Sequence, residues 1–323
     1  MKSVTGLHHV TAIAGPAQEN LDFYAGVLGM KLVKKSVNQD DTGTYHLFYA
    51  DAEGHPGTDL TFFPWSQAAP SRAGHGLASE VGLAVPLDSL SWWAQRLERY
   101  GTPVASPETR FGEKALHFVD PHGLGVALVE APVPKERGFT PSEGGPVPAE
   151  RQVHGLHGGR LRERSLGATT QFLTEVMGFR HVGTEGSWHR YAVADGASGT
   201  QIDVAEAPEM PRGFWGIGSI HHLAWRVGDE AHQAEVRARV EAAARRPTPV
   251  IDRFWFKSVY FTEPGGVLFE LATDGPGFSV DEAPDKLGET LVLPPWLEPQ
   301  RREIEAQLPV LSPPHPREAA RDR

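Results

Sequence analysis

Two adjacent histidines stand near the start of the chain in LHHVTAIA (7–14), and the same wording returns far downstream in SIHHLAWRV (219–227). A glutamate, Glu270, interrupts the apolar run VLFELAT (267–273). Each segment reads as a β-strand from its β-branched and aromatic content, and a strand turns successive side chains to opposite faces. In the second run His221, Leu223, Trp225 and Val227 then share one face, and His222, Ala224 and Arg226 the other. In the first run His8, Val10 and Ala12 stand opposite His9, Thr11 and Ile13. Phe269 and Leu271 flank Glu270 and point away from it. If the apolar faces meet covering helices, His9, His222 and Glu270 all project to the other side. A carboxylate in such an apolar strand is costly unless it is paired or metal-bound. Two neutral imidazoles and one carboxylate, with coordination positions left over, suit non-haem Fe(II) in oxygen chemistry, and Mn(II) accepts the same set.

The elements that must position these residues come from internal similarity. LHFVDPHGLGVALVEAP (116–132) and VYFTEPGGVLFELATDGP (259–276) both read as strand, acidic-Pro-x-Gly turn, strand. NLDFYAGVLGMKLVKK (20–35) and TTQFLTEVMGFRHVGT (169–184) both read as an amphipathic helix stopped at a glycine and followed by a strand. The chain therefore parses into four βαβββ modules, at 6–65, 78–132, 152–208 and 219–274, with helices near 17–28, 87–100, 162–177 and 229–244. The polar, Pro- and Gly-rich segment 133–151 is a linker, and 275–323 is a C-terminal extension ending in a frayed tail. One module alone leaves exposed sheet edges and an uncovered face, so modules pair into curved sheets that wrap a cup, with helices outside. The fold class is α+β. Aligning the repeats places Ala127 where Glu270 stands and Gly155 where His222 stands. One cup keeps the cluster and the other has lost it.

Bulk composition narrows the function classes. The chain has 323 residues, 40% hydrophobic and 22% charged, which favours a globular protein over a disordered one. A net charge of −10 argues against a nucleic-acid surface. No cysteine occurs, which excludes disulfides, thiolate metal sites and a cysteine nucleophile. MKSVTGLHHV lacks a signal-peptide core and no run reaches membrane-spanning length, so a cytoplasmic protein without membrane or nucleic-acid partners is expected.

At this point the sequence resembles the vicinal-oxygen-chelate superfamily of glyoxalases, bleomycin-resistance proteins and extradiol dioxygenases. Within it, the resemblance is to the hydroquinone ring-cleaving dioxygenases. It covers about residues 6 to 310 and is carried by LHHVT, NLDFYAGVLGMKLVKKSVN, YHLFYADAEGHPGTDLTFFP, TRFGEKALHF, WHRYAV, SIHHLAWRV, DRFWFKSVYFTEPGGVLFELAT and GFSVDEAPDKLG. The resemblance implies that His9, His222 and Glu270 hold Fe(II), with Mn(II) an alternative. It implies an aromatic diol and O2 as the small-molecule partners. Because the ligands then come from modules 1 and 4, those two should pair, leaving modules 2 and 3 to form the second cup. It also implies pocket roles for His8, Thr11, His221, Arg253 and Tyr260. Strand alternation turns His8 and His221 away from the cup, and a bulge at the strand end would reconcile the two readings. Phe254, Trp255 and Phe256 could wall a ring pocket, and SWHRY (187–191) is a second aromatic patch without a role.

Two rivals remain open. A glyoxalase-type isomerase needs a second carboxylate in GTDLTFFP, where Thr61 takes that position and Asp59 shares its face. A non-catalytic resistance-type binding protein would lack the complete triad. Oligomeric state is open, a homo-oligomer included.

Overall fold

The computed structural model describes residues 2–134 and 137–319. Module 1 comprises β1 (Leu7–Ala14), α1 (Ala17–Leu21), β2 (Lys31–Asn38), β3 (Asp41–Ala50) and β4 (Asp59–Pro64). Module 2 comprises β5 (Leu77–Val85), α2 (Leu90–Arg99), β6 (Glu108–Arg110), β7 (Glu113–Val119) and β8 (Gly125–Glu130). Module 3 comprises β9 (Gly155–Glu163), α3 (Gly167–Gln171), β10 (Arg180–Glu185), β11 (Trp188–Ala192) and β12 (Gln201–Glu206). Module 4 comprises β13 (Ile220–Val227), α4 (Glu230–Ala242), β14 (Ile251–Asp252), β15 (Lys257–Thr262) and β16 (Leu268–Thr273). A last helix, α5 (Arg301–Gln307), belongs to the extension.

The strands form two eight-stranded sheets, in the orders β14-β15-β16-β13-β1-β4-β3-β2 and β10-β11-β12-β9-β5-β8-β7-β6. Modules 1 and 4 therefore share one curved sheet and modules 2 and 3 the other. At each centre two first strands run antiparallel, β1 with β13 and β5 with β9, and each is parallel to the last strand of its own module. Four backbone hydrogen bonds relate the halves reciprocally. Leu7 N donates to Gly199 O and Leu156 N to Gly57 O, while Gly57 N donates to His8 O and Gly199 N to His157 O.

Local chemistry explains the helices. α1 and α3 each widen into a π-helical turn, Asp22–Val27 and Phe172–Met177, and each chain then reverses at a glycine with positive φ, Gly29 at 70° and Gly178 at 84°. A side chain with a Cβ is strained there. α4 starts at Asp229, whose carboxylate accepts from His232 N. The apolar strand faces meet these helices: Tyr24 packs on Phe62 with ring centroids 4.3 Å apart, Phe172 on Phe261, and Phe179 on the fully buried Trp225. One continuous core, running through Val10, Leu83, Leu161 and Leu223, joins both sheets.

Two expectations need correction. The third helix does not begin near 162, because Arg162 and Glu163 still belong to β9, pairing with Ala205 and Glu206 of β12. Gly155 is also not the counterpart of the ligand histidine. It opens β9 at φ 120°, as Gly6 precedes β1 at φ 144°, and the reciprocal hydrogen bonds match Leu156 and His157 to Leu7 and His8. Gly158 thereby takes the place of His9. Among the described residues, no helix is long and apolar enough to cross a membrane.

Candidate metal centre

The cup of modules 1 and 4 gathers His9 from β1, His222 from β13 and Glu270 from β16, all buried. The Nε2 atoms of His9 and His222 lie 3.2 Å apart, and Glu270 Oε2 sits 3.3 Å from the first and 3.0 Å from the second. This is the one group of three or more His, Asp or Glu residues with metal-ligand spacing among the described residues.

The surroundings prepare the three atoms for a cation. The Thr273 carbonyl can only accept, so His8 Nε2, 3.1 Å away, carries the proton and donates to it. His8 Nδ1 then presents a lone pair to His9 Nδ1–H at 2.9 Å, which leaves the His9 Nε2 lone pair free. Burial, and after it the neighbouring His9, push His8 down to about 3, so it stays neutral for this task. His221 Nδ1 lies 2.8 Å from His222 Nδ1 and repeats the arrangement. Burial and His222 push His221 down to about 3 as well. On the carboxylate, Oε1 accepts from Ser258 Oγ at 2.5 Å, whereas Oε2 is buried and completes no hydrogen bond. Burial alone would raise the Glu270 carboxyl, yet the charge and hydrogen bonding of His9 and His222, in the state where these rings carry the proton facing it, outweigh burial and hold the group well below the usual carboxylate range. An orphaned anionic oxygen facing two converging imidazole nitrogens fits a divalent metal.

Two bulges resolve the tension over His8 and His221. The β1–β13 register slips between Leu7 and His9 and again between Thr11 and Ala12. The first slip leaves His8 as the extra residue of β1, and the second leaves His221 as the extra residue of β13. Each bulge re-aims its histidine onto the neighbouring ligand ring. His221 is further held by a stacked Trp215 at 4.7 Å and by Phe63.

A void of about 370 Å³, its open mouth included, is lined by His9 and His222. Arg253, Tyr260, Trp255 and Phe256 line it, together with His46, Phe48, Phe63 and the β2–β3 hairpin residues Asn38, Gln39 and Asp40. Arg253 is clamped by Asp40 at 2.7 and 3.3 Å, and its backbone carbonyl accepts from the Gln39 amide. Tyr260, 5.5 Å from His222 between ring centroids, is raised by burial and then by Glu270. Thr11 Oγ1 pairs with Thr61 Oγ1 at 2.7 Å, so Thr61 is a hydroxyl partner and not a fourth ligand. Asp59 shares the cup face beside His9, but burial, with Asp51 adding, keeps its carboxyl well above the usual range, and it stands outside the cluster.

Phe254 does not line the void, and Trp188 and His189 lie on β11 of the other sheet. Sequence reasoning missed His46 and the hairpin. The alternation of His46 with Leu47 and Phe48 in YHLFYA was the available signal.

The model of the Glyoxalase/Bleomycin resistance protein/Dioxygenase superfamily matches residues 6–128 and 155–271. The chain belongs to that superfamily. A Bacillus subtilis (strain 168) protein provisionally named ring-cleaving dioxygenase MhqO is 42% identical over 95% of this chain and 96% of its own length. The chlorohydroquinone/hydroquinone 1,2-dioxygenase of Sphingobium indicum is 34% identical over 93% of this chain and 95% of that one. A crystal structure from Bacillus subtilis, provisionally named a dioxygenase, superposes with a TM-score of 0.89 at 40% identity, covering 97% of this chain and 99% of that one. Glyoxalase I from Zea mays, at 15% identity and a TM-score of 0.61, shares the fold alone.

Proposed function

We propose that this chain is an Fe(II)-dependent, extradiol-type dioxygenase that opens the ring of a hydroquinone or a related aromatic diol, inserting O2 and breaking a ring C–C bond. The observation that carries this reading is the buried convergence of His9 Nε2, His222 Nε2 and the unpartnered Glu270 Oε2 under an aromatic-lined void. Relatives named as ring-cleaving and hydroquinone dioxygenases support it, and they make the chain an enzyme of that kind. His9, His222 and Glu270 would hold the metal, with Mn(II) as the alternative ion.

When bound, Fe(II) supplies Lewis acidity toward a phenol oxygen and one-electron exchange with O2. The chain's own residues do the rest. His8 fixes the His9 tautomer by accepting its Nδ1 proton, and His221 steadies the His222 ring. The Arg253 guanidinium, held by Asp40, offers a fixed cation to a phenolate or an oxygen-derived anion. Tyr260 stays protonated beside it and can hydrogen-bond a reacting oxygen. Phe48, Phe63, Trp255 and Phe256 present flat apolar surface to the substrate ring and exclude water. Thr11 acts through Thr61 rather than on the metal.

The test is anaerobic Fe(II) reconstitution followed by oxygen uptake with hydroquinone, methylhydroquinone and catechol in parallel. Iron-dependent uptake with the two hydroquinones, giving a ring-opened product by mass spectrometry, is expected. Uptake with catechol alone would sink the para-diol assignment. No uptake with one iron bound per chain would sink the dioxygenase.

A further inference from the structure

A catechol can offer a metal two neighbouring oxygens, whereas a hydroquinone offers one and carries the other across the ring. The far hydroxyl of a para-diol must therefore meet the protein and not the metal. The cup contains a polar group, His46, that the metal-centred chemistry leaves unused.

His46 lies on β3, three strands away from His222 along the row β13-β1-β4-β3. Its ring is gripped by Phe48 and Phe63, with centroids at 3.8 and 4.5 Å. Its Nε2 lies 2.9 Å from Thr61 Oγ1, and Thr61 Oγ1 lies 2.7 Å from Thr11 Oγ1. Thr11 in turn sits opposite His222 in the β1–β13 register. A line of hydroxyls thus ties His46 back to the strand that carries a metal ligand and fixes the ring's rotation. Nδ1 has no protein partner among the described residues, although the ring lines the void. Burial, and then the fields of His9 and His222, hold this imidazole well below its ordinary value. A neutral ring offers one lone pair or one N–H at Nδ1, and a hydroxyl, being both donor and acceptor, satisfies either. Two rings and a hydroxyl chain are a costly way to hold an imidazole that touches nothing else.

We propose that His46 is the specificity-determining residue for the para-diol: its Nδ1 hydrogen-bonds the substrate hydroxyl remote from the metal, and the Thr61–Thr11 pair holds it in register. This rests on the hydroquinone reading of the site.

Equilibrium binding tests the pairing without turnover. Anaerobic, Fe(II)-loaded protein is titrated calorimetrically with hydroquinone and with phenol, which keeps one hydroxyl and lacks the remote one. Wild type should bind hydroquinone at least about tenfold tighter than phenol, the size of one well-placed hydrogen bond. His46→Phe, which preserves the ring packing, and His46→Gln, which preserves a polar group without the fixed geometry, should each lose most of that ratio. Phenol affinity and iron content should hold steady. Thr61→Val, which cuts the tie but leaves the ring, should lose part of it. An unchanged ratio in folded, iron-loaded His46→Phe would overturn the role of His46 while leaving the dioxygenase reading intact. Equal binding of phenol and hydroquinone by wild type would do the same. Wild type that holds iron but binds neither compound would overturn the functional reading and this inference with it.

Discussion

The two cups are built from the same strands in the same order and enclose nearly the same space, about 370 Å³ in one and 350 Å³ in the other, open solvent included. Their linings are opposite in kind. Matching registers put Gly158 at the place of His9, Glu80 at that of His222 and Ala127 at that of Glu270. Thr61 becomes Asp203, Thr11 becomes Arg160, and Tyr260 becomes His117. The second cup closes its charges on themselves. Glu80 takes Arg110 at 2.5 Å and His117 at 2.8 Å; Asp203 takes Arg190 at 2.7 Å; Glu113 takes Arg190 at 2.5 Å and His157 at 3.3 Å. In the first cup a buried carboxylate oxygen completes no hydrogen bond and two imidazole Nε2 atoms face it at 3.3 and 3.0 Å. The lesson is that a shared backbone sets where side chains converge, while satisfaction of their polar atoms separates a structural network from a site awaiting a ligand.

That contrast can be broken by substitution. His222→Ala should cut metal affinity by more than ~100-fold, beyond the effect of removing an outer partner, and abolish turnover with it; retained metal by mass spectrometry would place the centre elsewhere. Glu80→Ala, at the equivalent position, should leave metal content unchanged. It should lower unfolding stability by ~1–3 kcal/mol, because Arg110 would keep only Glu108 and His117 would lose its carboxylate. Chemical denaturation measures this, and a loss of bound metal in this variant would mean that the cups are coupled.

Acid sharpens the comparison further. Burial alone would raise the Glu113 carboxyl, but His157 and Arg190 hold it down at about 2. Its folded value is depressed, so its contribution is present above about pH 4.5 and is lost as pH falls through 2. Glu113→Gln should therefore unfold more easily at pH 7, by ~1–2 kcal/mol. The melting temperatures of variant and wild type should converge as pH approaches 2. A constant gap across that window would remove Glu113 from the network. The smallest effect belongs to the rim of the first cup. Asp40→Asn frees Arg253 from an exposed carboxylate, and KM for the diol should rise about two- to threefold with kcat nearly unchanged. A fall in kcat alone would show that Asp40 tunes Arg253 during the reaction rather than on binding.

Much of this was legible in the chain because a strand's period is two. Alternation alone placed His9, His222 and Glu270 on one face, and the Pro–Gly turns and glycine-stopped helices announced the modules, since few residues satisfy those backbone angles. The pairing of modules 1 and 4 followed once the three were read as ligands. What alternation could not give was a break in its own period. The bulges at His8 and His221 depend on how β1 and β13 meet, and nothing within either strand announces them. The roles of His46, Asp40 and Gln39 could not be read from the chain for a related reason: their partners Thr61 and Arg253 come from other segments, and Arg253 is more than two hundred residues away from the hairpin. The sequence set Gly155 where His222 stands, whereas the register gives that place to Glu80 and sets Gly158 against His9, because hydrogen-bond register, not turn alignment, decides which residues face one another. The sequence by itself determined which side chains share a face, because that is a local property of the backbone. Only the tertiary structure decided which faces meet and at what register, because those are set by contacts between segments that the chain order keeps apart.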